Sequence, residues 1–201
     1  MYVNKELDIE WWLPPRTASR MTKIIIEKLG FECFEHHHYF DDNISGRKII
    51  INVRNPYSIV VSRYKQLYKK HISTSYTYEW DNFNDFVKTF VSWVRNGKSY
   101  QFYTYPEIFN STNTSPFFKV RYESYIDDLM SLDFIRNNQH LITDELNQLH
   151  QGKWSENSLL DTSIPYNTYY DQESADMVYD LYRNIFIYDE YDRESWKTIT
   201  I

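Results

Sequence analysis

The apolar run Ile49-Ile50-Ile51-Asn52-Val53 stops at Arg54-Asn55-Pro56, and this junction restricts the fold more than any other stretch of the chain. The run reads as a buried strand. Pro56 then opens a helix, since the N–H that proline lacks would have no partner in a first helical turn. Ser62 lies further along that helix. The junction therefore sets a fork-shaped cation, Arg54, and a hydroxyl at the carboxyl end of a strand, where open α/β sheets bind their ligands. A phosphate is the guest that an arginine fork and a hydroxyl suit.

The flanking segments extend the α/β pattern. A short strand from about Asp8 to Leu13 runs into Pro14-Pro15. A helix follows from about Ser19 to Leu29, with Met21, Ile24, Ile25 and Leu29 at helical spacings and Gly30 as its C-cap. Phe31 to Tyr39 and Arg47 to Val53 read as strands. This β-α-β-β-α order predicts a sheet with at least two parallel strands and helical cover. Phe83 to Arg95 is a second amphipathic helix, with Phe83, Phe86, Val87, Phe90, Val91 and Val94 on one stripe. Phe117 to Arg121 follows a polar loop as an edge strand, then come short helices from Tyr125 to Asn137 and from Ile142 to Leu149. A polar linker from Gln151 to Asn167 leads to a last helix, about Asp171 to Ile187, carrying Ala175, Val178, Leu181, Tyr182, Ile185 and Phe186 on one face. No internal repeat or domain boundary is visible, so residues 1–201 read as a single domain with a central, mainly parallel sheet flanked by helices.

Composition narrows the function classes. The chain has 201 residues with 19 Tyr, 12 Phe and 6 Trp but only 4 Gly and 6 Pro, which is the make-up of a folded globular protein. A formal charge of −6 argues against a general nucleic-acid binder but leaves room for a local basic pocket. Cys33 is the one cysteine, so no intrachain disulfide can form and a reducing compartment is the simpler expectation. The N-terminal residues lack the basic and apolar regions of a secretory signal, and no apolar run approaches the ~20 residues of a membrane span. The expectation is a soluble, cytoplasmic protein; its oligomeric state is not legible.

A second candidate anion site precedes the first helix, in Pro14-Pro15-Arg16-Thr17-Ala18-Ser19-Arg20. Unpaired N–H groups and the helix dipole favour an anion at a helix start. Thr17, Ser19 and Arg20 add donors and Arg16 a permanent charge. An ordinary capped turn with surface arginines explains this stretch equally well when it is taken alone. The G-x-x-x-x-G-K-[ST] pattern of a P-loop nucleoside triphosphatase is absent.

Together the two sites resemble the signature regions of the sulfotransferases that use 3′-phosphoadenosine 5′-phosphosulfate (PAPS). Arg16-Thr17-Ala18-Ser19-Arg20 resembles the 5′-phosphosulfate loop, usually Pro-Lys/Arg-Thr/Ser-Gly-Thr/Ser, and Arg54 with Ser62 resembles the 3′-phosphate motif. Lys119-Val120-Arg121-Tyr122-Glu123-Ser124-Tyr125 is similar to the family's late strand and Tyr-Glu pair, and Tyr169-Tyr170-Asp171 to the end of carbohydrate sulfotransferases. The resemblance runs in order from about Ile9 to Asp192. It implies a P-loop-like sulfotransferase fold, PAPS as donor, adenosine 3′,5′-bisphosphate (PAP) as product, no metal, and an acceptor hydroxyl on a saccharide or small metabolite. Within that frame Arg16, Thr17, Ala18, Ser19 and Arg20 bind the 5′ end of the donor, and Arg54 and Ser62 bind its 3′-phosphate. Tyr122 borders the nucleotide, and Lys153 belongs to a basic loop closing over the 3′-phosphate.

The chain departs from the family pattern in three places. Arg16 stands where most members have a catalytic lysine; it can neutralise charge on the leaving phosphate but cannot donate its proton. Ala18 replaces a glycine, which is acceptable provided its backbone stays at negative φ. Arg20 replaces a small hydroxyl residue and can bind donor or acceptor, or block part of the site. For the general base the candidates are His36 and His38, which share a strand face, with Glu35 behind them. The same two histidines could ligate zinc, but no third ligand is visible. Trp11 and Trp12 can stack on adenine or simply pack, and the later tyrosines suit either a sugar-binding wall or an ordinary core. Two other readings stay open: a catalytically lapsed nucleotide-binding scaffold or sensor, motivated by Ala18 and Arg20, and a nucleotide-dependent kinase of related architecture.

Overall fold

The computed structural model describes residues 1–14, 16–33, 47–73, 80–96, 118–151 and 165–197. His36, His38, Glu35 and Lys153 lie outside the described residues, as does the strand expected beyond Cys33. The chain is α/β, with a five-stranded mixed sheet flanked by helices. It divides into two compact units, Met1–Arg54 with Glu107–Leu159 and Asn55–Pro106 with Leu160–Ile201.

The first unit holds the whole sheet. Its strands are β1 (Tyr2–Asn4), β2 (Ile9–Trp12), β3 (Glu32–Cys33), β4 (Lys48–Val53) and β5 (Phe118–Arg121), in the spatial order β3-β1-β2-β4-β5. The pairs β2–β4 and β4–β5 are parallel, as the sequence pattern predicts, whereas β1 runs antiparallel to both β2 and β3. The sheet is therefore mixed. Strand β1 escapes sequence reading because three residues are too few to show a period. It is set by a turn in which the Asn4 side chain accepts from the Leu7 N–H at 3.0 Å and Asp8 takes a left-handed φ of 56°. The central position of β4 explains its apolar run: residues 49–53 are buried throughout.

Helix α1 (Ser19–Lys28) crosses one face of the sheet. Met21, Ile25 and Ile26 join Tyr2, Ile9, Trp11, Ile50 and Val120 in the core. The buried stripe differs from the expected one by a step: Ile26 is inside and Ile24 is 44% exposed. Residues at i and i+4 stack (Met21 on Ile25, Thr22 on Ile26), which turns Ile24 outward. Gly30 ends the helix as predicted. At φ 78° it lets the Phe31 N–H reach the Ile26 carbonyl at 3.0 Å and its own N–H reach Glu27 at 3.2 Å. After β5 come α4 (Tyr125–Ser131), α5 (Asp133–Asn137) and α6 (Thr143–His150), whose Leu129, Ile135 and Leu149 complete the same core. An ion pair at 2.8 Å between Lys28 and Glu145 links α1 to α6.

The second unit is helical among its described residues: α2 (Pro56–Ser73), α3 (Phe83–Arg95) and α7 (Gln172–Tyr188). Pro56 begins α2 as expected, and the Asn55 side chain caps it by accepting from the Tyr57 N–H at 3.0 Å. The predicted α3 stripe is buried at Phe83, Phe86, Val87, Phe90 and Val91. Asp171 and Ser174 form a reciprocal capping box that starts α7. Tyr57, Tyr170 and Tyr182 belong to this core. Tyr170 donates its hydroxyl to the Tyr57 carbonyl at 2.9 Å and meets the Tyr57 ring edge-on at 5.0 Å.

Candidate functional site

The carboxyl ends of β2, β4 and β5 lie side by side because the strands are parallel and in register, with Trp12 opposite Ile51 and Val53 opposite Arg121. Arg54 and Tyr122 each follow the last paired residue of their strand. The Arg54 guanidinium accordingly lies over the Tyr122 ring, 3.7 Å from its centroid. Its Nη1 donates to the Arg16 carbonyl at 3.0 Å. Two segments that are distant in sequence, and both flagged as anion binders, are thus joined directly, and Tyr122 joins them. Stacking of this kind stabilises the cation by about 1 kcal/mol and holds the guanidinium plane in one orientation.

The loop between β2 and α1 has an unusual backbone. Arg16 has a φ of 72° and Ala18 a φ of 61°, both left-handed. The proviso attached to Ala18 is not met: it adopts the conformation in which glycine is at ease, at a cost of about 1–2 kcal/mol for a residue with a Cβ. Ala18 is the N-cap of α1, gives no side-chain cap, and no acidic residue occupies the first turn. In contrast, α3 and α7 have side-chain caps and an acid in the first turn. The start of α1 therefore lacks the side-chain cap and the first-turn acid that the other two helices have.

The loop side chains divide in their roles. Thr17 is buried and its hydroxyl donates to the Pro14 carbonyl at 2.6 Å, so that hydroxyl closes the turn and is not a donor for a ligand. Arg16, Ala18 and Ser19 are half-buried and Arg20 is exposed. Ser62 is half-buried on α2, in the second unit. Trp11 and Trp12 are buried, so neither offers a face to adenine; Trp11 packs edge-on against Phe31 at 5.8 Å. Tyr57, Tyr170 and Tyr182 are likewise core residues, and burial raises all three phenols above their ordinary range.

Beneath the loop lies a polar network that pattern reading passes over. Asn52, fully buried on β4, accepts from the Trp11 indole N–H at 2.8 Å and donates to the Thr17 carbonyl at 2.8 Å and the Thr22 hydroxyl at 2.6 Å. Thr22 Oγ1 lies 2.7 Å from the Tyr125 hydroxyl and 3.2 Å from the Ala18 carbonyl. Burial raises the Tyr125 phenol, so it keeps its proton and serves as a donor. The available signal was the lone amide inside an otherwise apolar strand.

A second feature builds the corner that carries Tyr122. Asp128 on α4 accepts from the Arg121 backbone N–H at 2.8 Å, from Arg121 Nε and Nη2 at 3.0 and 2.8 Å, and from Ser124 Oγ at 3.0 Å. Burial by itself would raise this carboxyl, but the Arg121 and Ser124 donors outweigh it and hold it below its ordinary value. Among the described residues no group of three or more His, Cys, Asp or Glu is placed to hold a metal ion, and no helix is long and apolar enough to cross a membrane. Comparisons with protein-family models, with curated proteins and with solved structures returned no match.

Proposed function

We propose that this chain is a sulfotransferase that moves a sulfuryl group from PAPS to an acceptor hydroxyl on a saccharide or small metabolite. The observation that carries the reading is Arg54, hydrogen-bonded to the Arg16 carbonyl and stacked on Tyr122 beside the uncapped start of α1. A donor with a phosphate at one end and a phosphosulfate at the other needs two anion sites a short distance apart. The contact between Arg54 and the 16–18 backbone supports such a pairing. The left-handed Ala18 supports it further, because the resembled loop has a glycine there.

In this reading the acceptor oxygen attacks sulfur as the bond between sulfur and the 5′-phosphate oxygen breaks, and PAP leaves with the bonding pair. His36 or His38 takes the acceptor proton. Arg16 and the N–H groups at the start of α1 offset the charge that grows on the leaving phosphate. Arg16 acts by charge alone, since a guanidinium does not release its proton. Arg54 grips the 3′-phosphate, and much of the rate comes from fixed orientation of the donor.

Calorimetric titration of PAP into the wild type and Arg54→Ala tests this, with adenosine 5′-monophosphate as control. The expected result is binding that needs both the 3′-phosphate and Arg54, with Arg54→Ala weakening PAP by about tenfold or more, the range for one charge-assisted contact. Equal binding of the two nucleotides, or of PAP to both proteins, would refute it. Tight PAP binding with no turnover on a panel of hydroxyl acceptors would instead favour the scaffold or sensor.

A further inference from the structure

Asn52 is a fully buried amide whose orientation is dictated by chemistry. The Trp11 indole nitrogen can only donate, so the Asn52 atom facing it must be Oδ1, and the Thr17 carbonyl can only accept, so Nδ2 must face it. The second Nδ2 hydrogen goes to Thr22 Oγ1. Tyr125 then donates to Thr22, and Thr22 donates to the Ala18 carbonyl, which also accepts from the Thr22 backbone N–H at 3.1 Å. Every side-chain donor of this Trp11–Asn52–Thr22–Tyr125 network has an acceptor.

The consequence for the loop follows from peptide geometry. The loop peptides are trans, and in a trans peptide the C=O and N–H point in opposite directions. With the Thr17 carbonyl drawn inward to Asn52, the Ala18 N–H is turned away from the buried side. With the Ala18 carbonyl drawn down the helix to Thr22, the Ser19 N–H leaves through the start of α1.

We infer that Asn52, acting with Thr22, is a positioning residue that aims the Ala18 and Ser19 amides at an anion held by the 16–20 loop. It does so by tying down the Thr17 and Ala18 carbonyls on the opposite sides of those peptides. The inference rests on the loop being the anion site proposed above. It also accounts for the left-handed Ala18: the network holds a backbone conformation that the alanine would not choose by itself.

The test uses the full chain, isotope-labelled for amide NMR, titrated in separate series with inorganic sulfate and with PAP. In the wild type the Ala18 and Ser19 amides shift and saturate. Thr22→Val keeps the shape of the side chain but deletes the hydroxyl that ties the Ala18 carbonyl; it should fold, bind both anions about tenfold more weakly, and lose the saturable shift at Ser19. Thr22→Ser, which restores the hydroxyl, should restore both. Asn52→Leu, which frees the Thr17 carbonyl, should weaken both anions alike and lose the saturable shift at Ala18, and if it fails to fold the Thr22 pair decides. Wild-type affinity and unchanged amide shifts in folded Thr22→Val would overturn the positioning role while leaving the anion site standing. Silence of both amides in the wild type would overturn the site itself, and the positioning role with it.

Discussion

Replacing Asp128 by alanine removes the acceptor for four hydrogen bonds at the corner between β5 and α4, and the cost can be worked out bond by bond. Asp128 is 8% exposed while Arg121 is 54% exposed. The Arg121 guanidinium regains water when its partner is lost, so its two bonds contribute only about 0–1 kcal/mol. The Arg121 backbone N–H loses a charged acceptor, at about 1.5–3 kcal/mol. Ser124 rotates to water at little cost. The sum is about 1.5–4 kcal/mol, or a fall of about 3–16 °C in Tm for a chain of this size. The pH dependence has a definite sign. The folded carboxyl titrates below its ordinary 3.8, so its contribution is fully present above that value and is lost as pH falls through the lower folded value. Urea denaturation of wild type and Asp128→Ala at pH 7, repeated in steps down to pH 3, should show a gap that narrows only at the acid end. A gap below about 0.5 kcal/mol at pH 7, the range of an unremarkable surface change, would refute the reasoning. So would a gap that stays constant as the acid is added.

Two backbone predictions follow from left-handed residues. Ala18→Gly relieves about 1–2 kcal/mol of strain against about 0.4–1 kcal/mol of added chain entropy, so stability should rise by up to about 1.6 kcal/mol, whereas Ala18→Val should lower it; chemical denaturation measures both. At Gly30 an added Cβ meets nothing closer than the Asn4 side chain at 3.7 Å, so the cost of Gly30→Ala is conformational alone. It should destabilise by about 1 kcal/mol, the strain of about 1–2 kcal/mol less about 0.4–1 kcal/mol of chain entropy, and a thermal midpoint equal to that of the wild type would show that α1 does not depend on its left-handed cap.

What the sequence by itself determined is local. The strand ending at Arg54, the helix opened by Pro56, the Gly30 cap and the α3 stripe each depend on residues a few positions apart, and windows of that size carry hydrophobic period, capping and turn chemistry. The same information selected Arg16, Arg54 and Tyr122 separately, but no local rule says that the first two share a hydrogen bond or that the third lies against the second. Tertiary structure decided the rest. Strand order put β4 between β2 and β5, and register brought Arg54 over Tyr122. Asn52 acquired a partner 41 residues away and Thr22 one 103 residues away. Ala18 took a left-handed φ although alanine disfavours it. The physical reason is that such pairings draw their energy from desolvated hydrogen bonds and packed surfaces that exist only after the sheet has assembled. A buried amide in an apolar strand announces that it needs partners, and only the assembled fold supplies them.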